Sequence, residues 1–334
     1  MMVPTRPAAD FPDLIAGLLP AGSICTFSGA SGVGKTAFAA REIIHALQHG
    51  LPIFGHPSTS PTCIGILACD RPWRDHRAWF EKAGCQHLTH WQQHDPALPT
   101  PDGLPRIVTR SLRDEEYPWE ILRDFRNVHK TFRALVDSLQ LPPGALLLVD
   151  PISLFIPGRL IDYKDVAIGM GLLDQQLKPL ALTTLGVFHV SKQKAGGNDR
   201  YLRPQDRILG SNALLGYSET TFYLLSPSEA QKPHYEFGYV AHQLPEASFA
   251  FKRDKATGLF VPAAHLDLVQ DEEQALAFLP ENHEICLARS IWVKRICDAL
   301  GCDPHQAEAL IKRLWRAGRA EKVGRALWRR VKPH

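Results

Sequence analysis

The sequence contains no C-x-x-C pair, and its seven cysteines, an odd number at irregular spacing, argue against a disulfide framework. No apolar run approaches the ~20 residues of a membrane-crossing helix, and no basic-then-apolar leader opens the chain. The expected setting is a reducing cytoplasm with no membrane partner. No internal repeat is visible. Neither charge sign dominates: 38 Lys/Arg face 35 Asp/Glu, a formal net of +3, so the chain as a whole is not a polycation. The segment "CQHLTHWQQH", with Cys85, His87, His90 and His94, lacks the paired-ligand spacing of a zinc site and reads as a His-rich surface segment.

What is present fits an ordinary globular protein. The chain has 334 residues, 45% of them hydrophobic and 22% charged, enough for one large α/β domain and a small appendage. Charge is unevenly spread. Residues 281–334 hold 12 Lys/Arg against 6 Asp/Glu, a local net of +6, which leaves −3 on the rest. From Lys312 onward there are 9 Lys/Arg and one acid, Glu321. A basic end on a near-neutral body suits a polyanion partner, and a solvated face is the simpler alternative.

"TCIGILACD", a continuous apolar run bounded by polar residues, reads as a strand buried on both faces, "ALLLVD" as another buried strand, "SICTFSG" as a short β-rich run and "LGVFHV" as a strand. They alternate with helical patterns: "TAFAAREIIHALQHG", "RDHRAWFEKAG", "YPWEILRDFRNVHKTFRALVDSLQ" and "DVAIGMGLLDQQLKPLALTT". Residues 95–115, Pro-rich and polar, read as a surface excursion. "ILGSNALLGYSETTFYL", Ile208 to Leu224, reads as small residues leading into a strand with Glu219 at its mouth, and shorter strands follow to about Val261. The expected fold is α/β: a parallel-core sheet flanked by helices. Three parts follow, an N-terminal segment 1–21, a large domain 22–265 and a basic unit 270–334.

"GASGVGKT" fits G-x-x-x-x-G-K-[ST] at every position, after an apolar strand and before a helix. Gly29, Ala30, Ser31, Gly32, Val33, Gly34, Lys35 and Thr36 would close backbone N–H groups around the phosphates of ATP, helped by the helix N-terminus. Lys35 would reach the β- and γ-phosphates, and the Thr36 hydroxyl would ligate Mg²⁺. Asp150, ending "ALLLVD", is placed to hold the Mg²⁺ shell. Asp70 ends the "GILAC" strand, taken to lie next to the phosphate-loop strand. It would orient or deprotonate the attacking water, or cap the helix beginning near Pro72, and the two roles are compatible. His189, ending "LGVFHV", would sense the γ-phosphate or bond a neighbouring backbone group.

With these residues placed, the chain resembles RecA-type ATPases of the branch holding KaiC, DnaB and plasmid RepA helicases, and the RepA-like group above all. The resemblance spans roughly residues 12–262 and rests on "AGSICTFSGASGVGKTAFA", "GILACDRP", "LLLVDPISLF", "GVFHVSK" and "GSNALLGYSETTFYL", in that order. It implies a homo-oligomeric ring, usually a hexamer. ATP sits between neighbours, a basic residue reaches it in trans, and channel loops hold single-stranded DNA. Lys35 and Thr36 match the phosphate-loop pair, Asp150 the metal-shell acid and His189 the sensor. Three positions depart from the group. Asp70 stands where Glu is usual, Glu219 near a usual Arg, and His242 near a usual Lys. Lys192, Lys194, Arg203 and Arg207 in the loop 191–207, or Lys252 and Arg253 later, are the candidates to replace those cations, and the loop would face DNA.

"SIWVKRICDALGCDPHQAEALIKRLWRAGRAEKVGRALWRRV" resembles a winged helix. "VKRICDALG" would be the first helix. Asp303 would cap the second, with Pro304 at its first position. Leu310, Ile311 and Leu314 share one face. A hairpin turning at Gly324 would be the wing. Lys312, Arg313, Arg316, Arg319, Arg325 and Arg329 would meet duplex DNA. Two classes of function fit: a ring-forming, DNA-associated ATPase motor, and an ATP-dependent switch, scaffold or DNA-binding regulator with weak or absent hydrolysis.

Overall fold

The computed structural model describes residues 11–96, 98–114, 128–157, 162–190, 212–230, 234–254, 256–263, 275–279, 287–300, 304–316, 319–323 and 327–331. The chain divides into two compact units, Met1–Pro262 and Ala263–His334.

The first unit is built on a ten-stranded sheet. Its strands are β1 (Ile24–Ala30), β2 (Ile64–Ala68), β3 (Leu88–His90), β4 (Ile107–Ser111), β5 (Leu146–Asp150), β6 (Thr183–Val190), β7 (Thr220–Leu225), β8 (Tyr235–Ala241), β9 (Ala247–Arg253) and β10 (Phe260–Pro262). In space they lie in the order β10-β9-β8-β7-β1-β6-β5-β2-β4-β3. From β7 to β3 every pairing is parallel, and β8, β9 and β10 extend the sheet as an antiparallel meander. This is the α/β architecture expected from the sequence, a parallel-core sheet flanked by helices. β2 lies beyond β6 and β5, not beside β1 as chain order suggested. Chain order does not fix sheet order once helical crossovers intervene.

Both faces of the sheet are covered, which is why the central strands are apolar at consecutive positions. In β5, Leu146 and Leu148 join one core and Leu147 and Val149 the other, the alternation that a strand's two-residue period imposes. Helix α1 starts as Lys35–Phe38, continues as a π-helical stretch, Ala39–His45, and finishes as Ala46–Gln48. It covers the first face together with α2 (Trp73–Ala83). The other face is covered by α3 (Val128–Ser138) and α4 (Tyr163–Leu177). Phe38 of α1 anchors the first core, its ring stacked on Phe237 at 4.5 Å between centroids.

Several expectations are corrected. Residues 95–115 are not wholly a surface excursion: Ile107–Ser111 is a strand, with Ile107 and Val108 fully buried. Its five residues are too few for periodicity to stand out among prolines. In "ILGSNALLGYSETTFYL" the strand opens just after Glu219, as expected, but the lead-in was not expected to be helical. Asn212–Tyr217 forms the short helix α5, and β7 starts at Thr220. Thr183 and Thr184, read as helical, open β6, since β-branched residues after the turn at Ala181 favour a strand. Asp70 does not cap α2. The Trp73 N–H donates instead to Asp114 Oδ2 at 2.8 Å. Of the His-rich segment, Leu88–His90 forms the edge strand β3, and His87 pairs with Asp102 at 2.8 Å. The described residues hold no metal-binding cluster of His, Cys, Asp and Glu. Nor does any described helix have the length and apolarity to cross a membrane.

The second unit holds β11 (Leu287–Ala288), α6 (Arg289–Leu300), α7 (Pro304–Arg316), β12 (Ala320–Val323) and β13 (Leu327–Arg330). β13 pairs antiparallel with both β12 and β11. Its core gathers Trp292, Ile296, Leu310, Ile311, Leu314 and Trp328. Trp292 donates its indole N–H to the Ala275 carbonyl at 2.7 Å. Asp303 and Gly324 lie outside the described residues.

Candidate nucleotide site

β1 is buried along its whole length and ends at Ala30, where Ser31–Gly34 turns the chain into α1. That turn needs glycine at two places. Gly32 and Gly34 hold φ of +79° and +103°, in the left-handed region. At Gly34 a Cβ would also lie 2.9 Å from the Phe260 ring. Lys35 is buried, and its ammonium donates to the carbonyls of Gly29 at 2.8 Å and Ala30 at 3.0 Å, so the side chain curls along the loop that it follows.

The C-terminal ends of neighbouring strands bring the other groups to this loop, the usual position for a ligand in an open parallel sheet. Asp150 ends β5 and is buried. Thr36 donates its hydroxyl hydrogen to Asp150 Oδ2 at 2.5 Å. Asp150 Oδ1 is buried and finds no hydrogen-bond partner among the described residues. A hydroxyl and a carboxylate are the hard oxygen donors that Mg²⁺ prefers, and a buried carboxylate oxygen without a partner fits a cation there. Beside them, the Cys69 thiol is pushed well above its ordinary pKa by burial and by the charges of Asp150 and Asp70.

Asp70 lies two residues past β2, one third exposed. His76 Nε2 is 3.5 Å from its Oδ1, and His189 Nε2 is 3.6 Å from its Oδ2. Burial acts to raise the Asp70 pKa, but the two imidazoles outweigh it and hold the carboxyl well below the usual carboxylate range. His189, near the end of β6, is level with Gly29 of β1. Lys35, Thr36, Asp70, Asp150 and His189 thus all lie at one end of the sheet.

Glu219 and His242 lie at the other end. The Glu219 N–H donates to the Ile24 carbonyl at 3.1 Å, at the start of β1. The length of β1, about 20 Å at ~3.3 Å per residue, separates them from the phosphate loop. The His242 ring contacts the Ser218 carbonyl at 3.1 Å. Lys252 and Arg253, at the end of β9, are exposed and point the strand toward the loop end of the sheet. Arg253 donates to the Gly258 carbonyl at 2.9 Å and lies 5.8 Å from the Trp79 ring centroid and 6.0 Å from that of Phe260.

Lys192, Lys194, Arg203, Arg207 and Arg325 lie outside the described residues. Arg313 and Arg316 lie on α7, their side chains not described. Lys312 is exposed on the same helix. Arg319 is half-buried, and Arg329 pairs with Glu321 across the β12–β13 ladder.

A family model described as AAA domain matches residues 6–195, more than half of the chain and the part that carries the phosphate loop, Asp70, Asp150 and His189. The chain belongs to the AAA domain family. It is therefore a nucleotide-binding P-loop ATPase. No curated protein matches the chain. Among solved structures it is similar to a KaiC-like protein from the hyperthermophilic archaeon Pyrococcus horikoshii OT3, at 14% identity and a TM-score of 0.43, over 78% of this chain and 99% of that one.

Sequence reading missed His76, Asp114, Trp79 and Phe260. His76 carried one local signal, a polar residue in line with Phe80 and Ala83 on the buried stripe of α2. The other three act on partners distant in the chain.

Proposed function

We propose that the protein is a Mg²⁺-dependent ATPase motor that assembles as a ring, the hexamer of the RepA-like helicase type, and acts on DNA. The observation that carries the ATPase reading is the Thr36–Asp150 contact at 2.5 Å with the second Asp150 oxygen buried and unpartnered. Thr36 and Asp150 would hold Mg²⁺, which neutralises charge on the β- and γ-phosphates when bound. Lys35 would leave the carbonyls of Gly29 and Ala30 for the phosphates. Asp70 would orient water, and His189 would sense the γ-phosphate. The trans cation would come from Lys252 and Arg253, because Glu219 bears the wrong charge.

The DNA reading draws on the basic end, 9 Lys/Arg and one acid from Lys312 onward. The second unit would act as a winged helix on duplex DNA, with Lys312, Arg313 and Arg316 toward phosphates. Loop 191–207 would hold the single strand in the ring channel. Affinity would fall steeply with salt, as phosphate contacts release counterions. One observation favours a second reading, an ATP-dependent switch or scaffold with slow turnover: the carboxyl of Asp70, held low by two histidines, is a weak base.

The test is ATP turnover with and without single-stranded DNA, alongside native mass with a nucleotide analogue and Mg²⁺. The motor reading expects DNA stimulation and a ring. A monomer that binds ATP and is not stimulated would leave the switch.

A further inference from the structure

We propose that His76 is a positioning residue for ATP hydrolysis, fixing the Asp70 carboxylate from one side while His189 fixes it from the other. This rests on the hydrolytic reading above. His76 is 1% exposed, and neither ring nitrogen has a well-formed hydrogen bond among the described residues. Burying such a ring costs desolvation that an apolar side chain would avoid. Its Nε2 faces Asp70 Oδ1 at 3.5 Å, which gives the buried imidazole its polar counterpart.

Asp70 has no competing structural task at the helix start, since Asp114 accepts the Trp73 N–H. Its backbone is also tethered, with Arg113 Nε donating to the Asp70 carbonyl at 3.1 Å. Each carboxylate oxygen therefore has its own imidazole, at 3.5 and 3.6 Å, and the backbone is held as well. Two contacts on two oxygens define the plane of a carboxylate, where one contact would leave it free to rotate. The carboxylate is one third exposed, which leaves it room to accept from a water.

An Asp so held orients water and is a poor proton acceptor. In hydrolysis the water oxygen bonds the γ-phosphorus as the bond to the β,γ-bridging oxygen breaks. ADP leaves with that electron pair, and the water proton passes to a phosphate oxygen. The aspartate's shorter reach, compared with glutamate, makes its orientation more critical. α2 begins three residues after Asp70, so His76 sits on the first full turn that can reach back.

The test compares His76→Gln, His76→Met and His76→Ala in the full chain, reading kcat and KM for ATP and the affinity for a fluorescent ATP analogue. Gln keeps a donor at similar size and Met does not. Met and Ala should lower kcat by about 10- to 100-fold, with analogue affinity within about twofold of wild type, and Gln should recover most of the rate. In an Asp70→Ala background, His76→Met should have no further effect. Wild-type kcat in the Met variant would overturn the proposal. So would equal loss in Gln and Met, or a loss that persists in the Asp70→Ala background. If Ala does not fold, the Gln–Met pair decides. A wild-type chain that binds the analogue without turnover overturns the hydrolytic reading and this proposal together, distinct from the case of an active wild type matched by the Met variant.

Discussion

Glu42 lies in the π-helical stretch of α1, just past the phosphate loop. Burial raises its pKa from the ordinary 4.5 to about 7, only partly opposed by the neighbouring Arg41. Arg41 is itself turned to the Ala83 carbonyl at 3.0 Å. Below pH 4.5 the residue is protonated in folded and unfolded chains alike and costs nothing. Between 4.5 and 7 the unfolded chain releases the proton and the folded chain retains it, so stability falls as pH rises. Above 7 both forms are ionised and the penalty is constant. At 1.36 kcal/mol per unit, its full size is about 3 kcal/mol. Glu42→Gln is neutral in both states and escapes it. Urea unfolding at pH 5, 6, 7 and 8 should show a variant more stable by about 0.8 kcal/mol at pH 5, rising to about 3 kcal/mol at pH 8. Stability profiles that run parallel for the two proteins would contradict a Glu42 carboxyl pKa raised by burial.

Gly34→Ala should destabilise the first unit by about 1–2 kcal/mol from the left-handed backbone alone, with more added because the Phe260 ring must shift. Thermal unfolding with an unchanged midpoint would contradict that. Arg253→Ala should cut ATP turnover about 10³-fold while leaving analogue binding intact, as loss of a trans cation does. Glu219→Arg should leave turnover within about twofold. A rise in turnover with Glu219→Arg and no change with Arg253→Ala would assign the cation to the opposite end of the sheet.

The strand–turn–helix of the phosphate loop could be read directly because its residues are consecutive, and consecutive residues have one local geometry. Asp150 was legible for a similar reason, as an acid closing an apolar run. The clamp on Asp70 was not. Its two histidines are 6 and 119 residues away in the chain, and sheet order, which no local pattern encodes, brings His189 to it. The same limit misplaced β2 beside β1. The capping of α2 misled for another reason: Asp70 has the right residue type at the right distance, yet Asp114, 41 residues after Trp73, holds the bond. The helix Asn212–Tyr217 was missed because six residues are too few for helical periodicity to separate from the strand that follows. Glu219 lies a strand's length from this chain's own phosphate loop.

Lys35, Thr36 and Asp150 would together form a working Mg²⁺–ATP site. Steady-state ATP hydrolysis by wild type and Lys35→Ala, each with Mg²⁺ and with excess chelator, tests it most directly. Turnover is expected only in wild type with Mg²⁺. Equal turnover in Lys35→Ala, or turnover that survives the chelator, would contradict it.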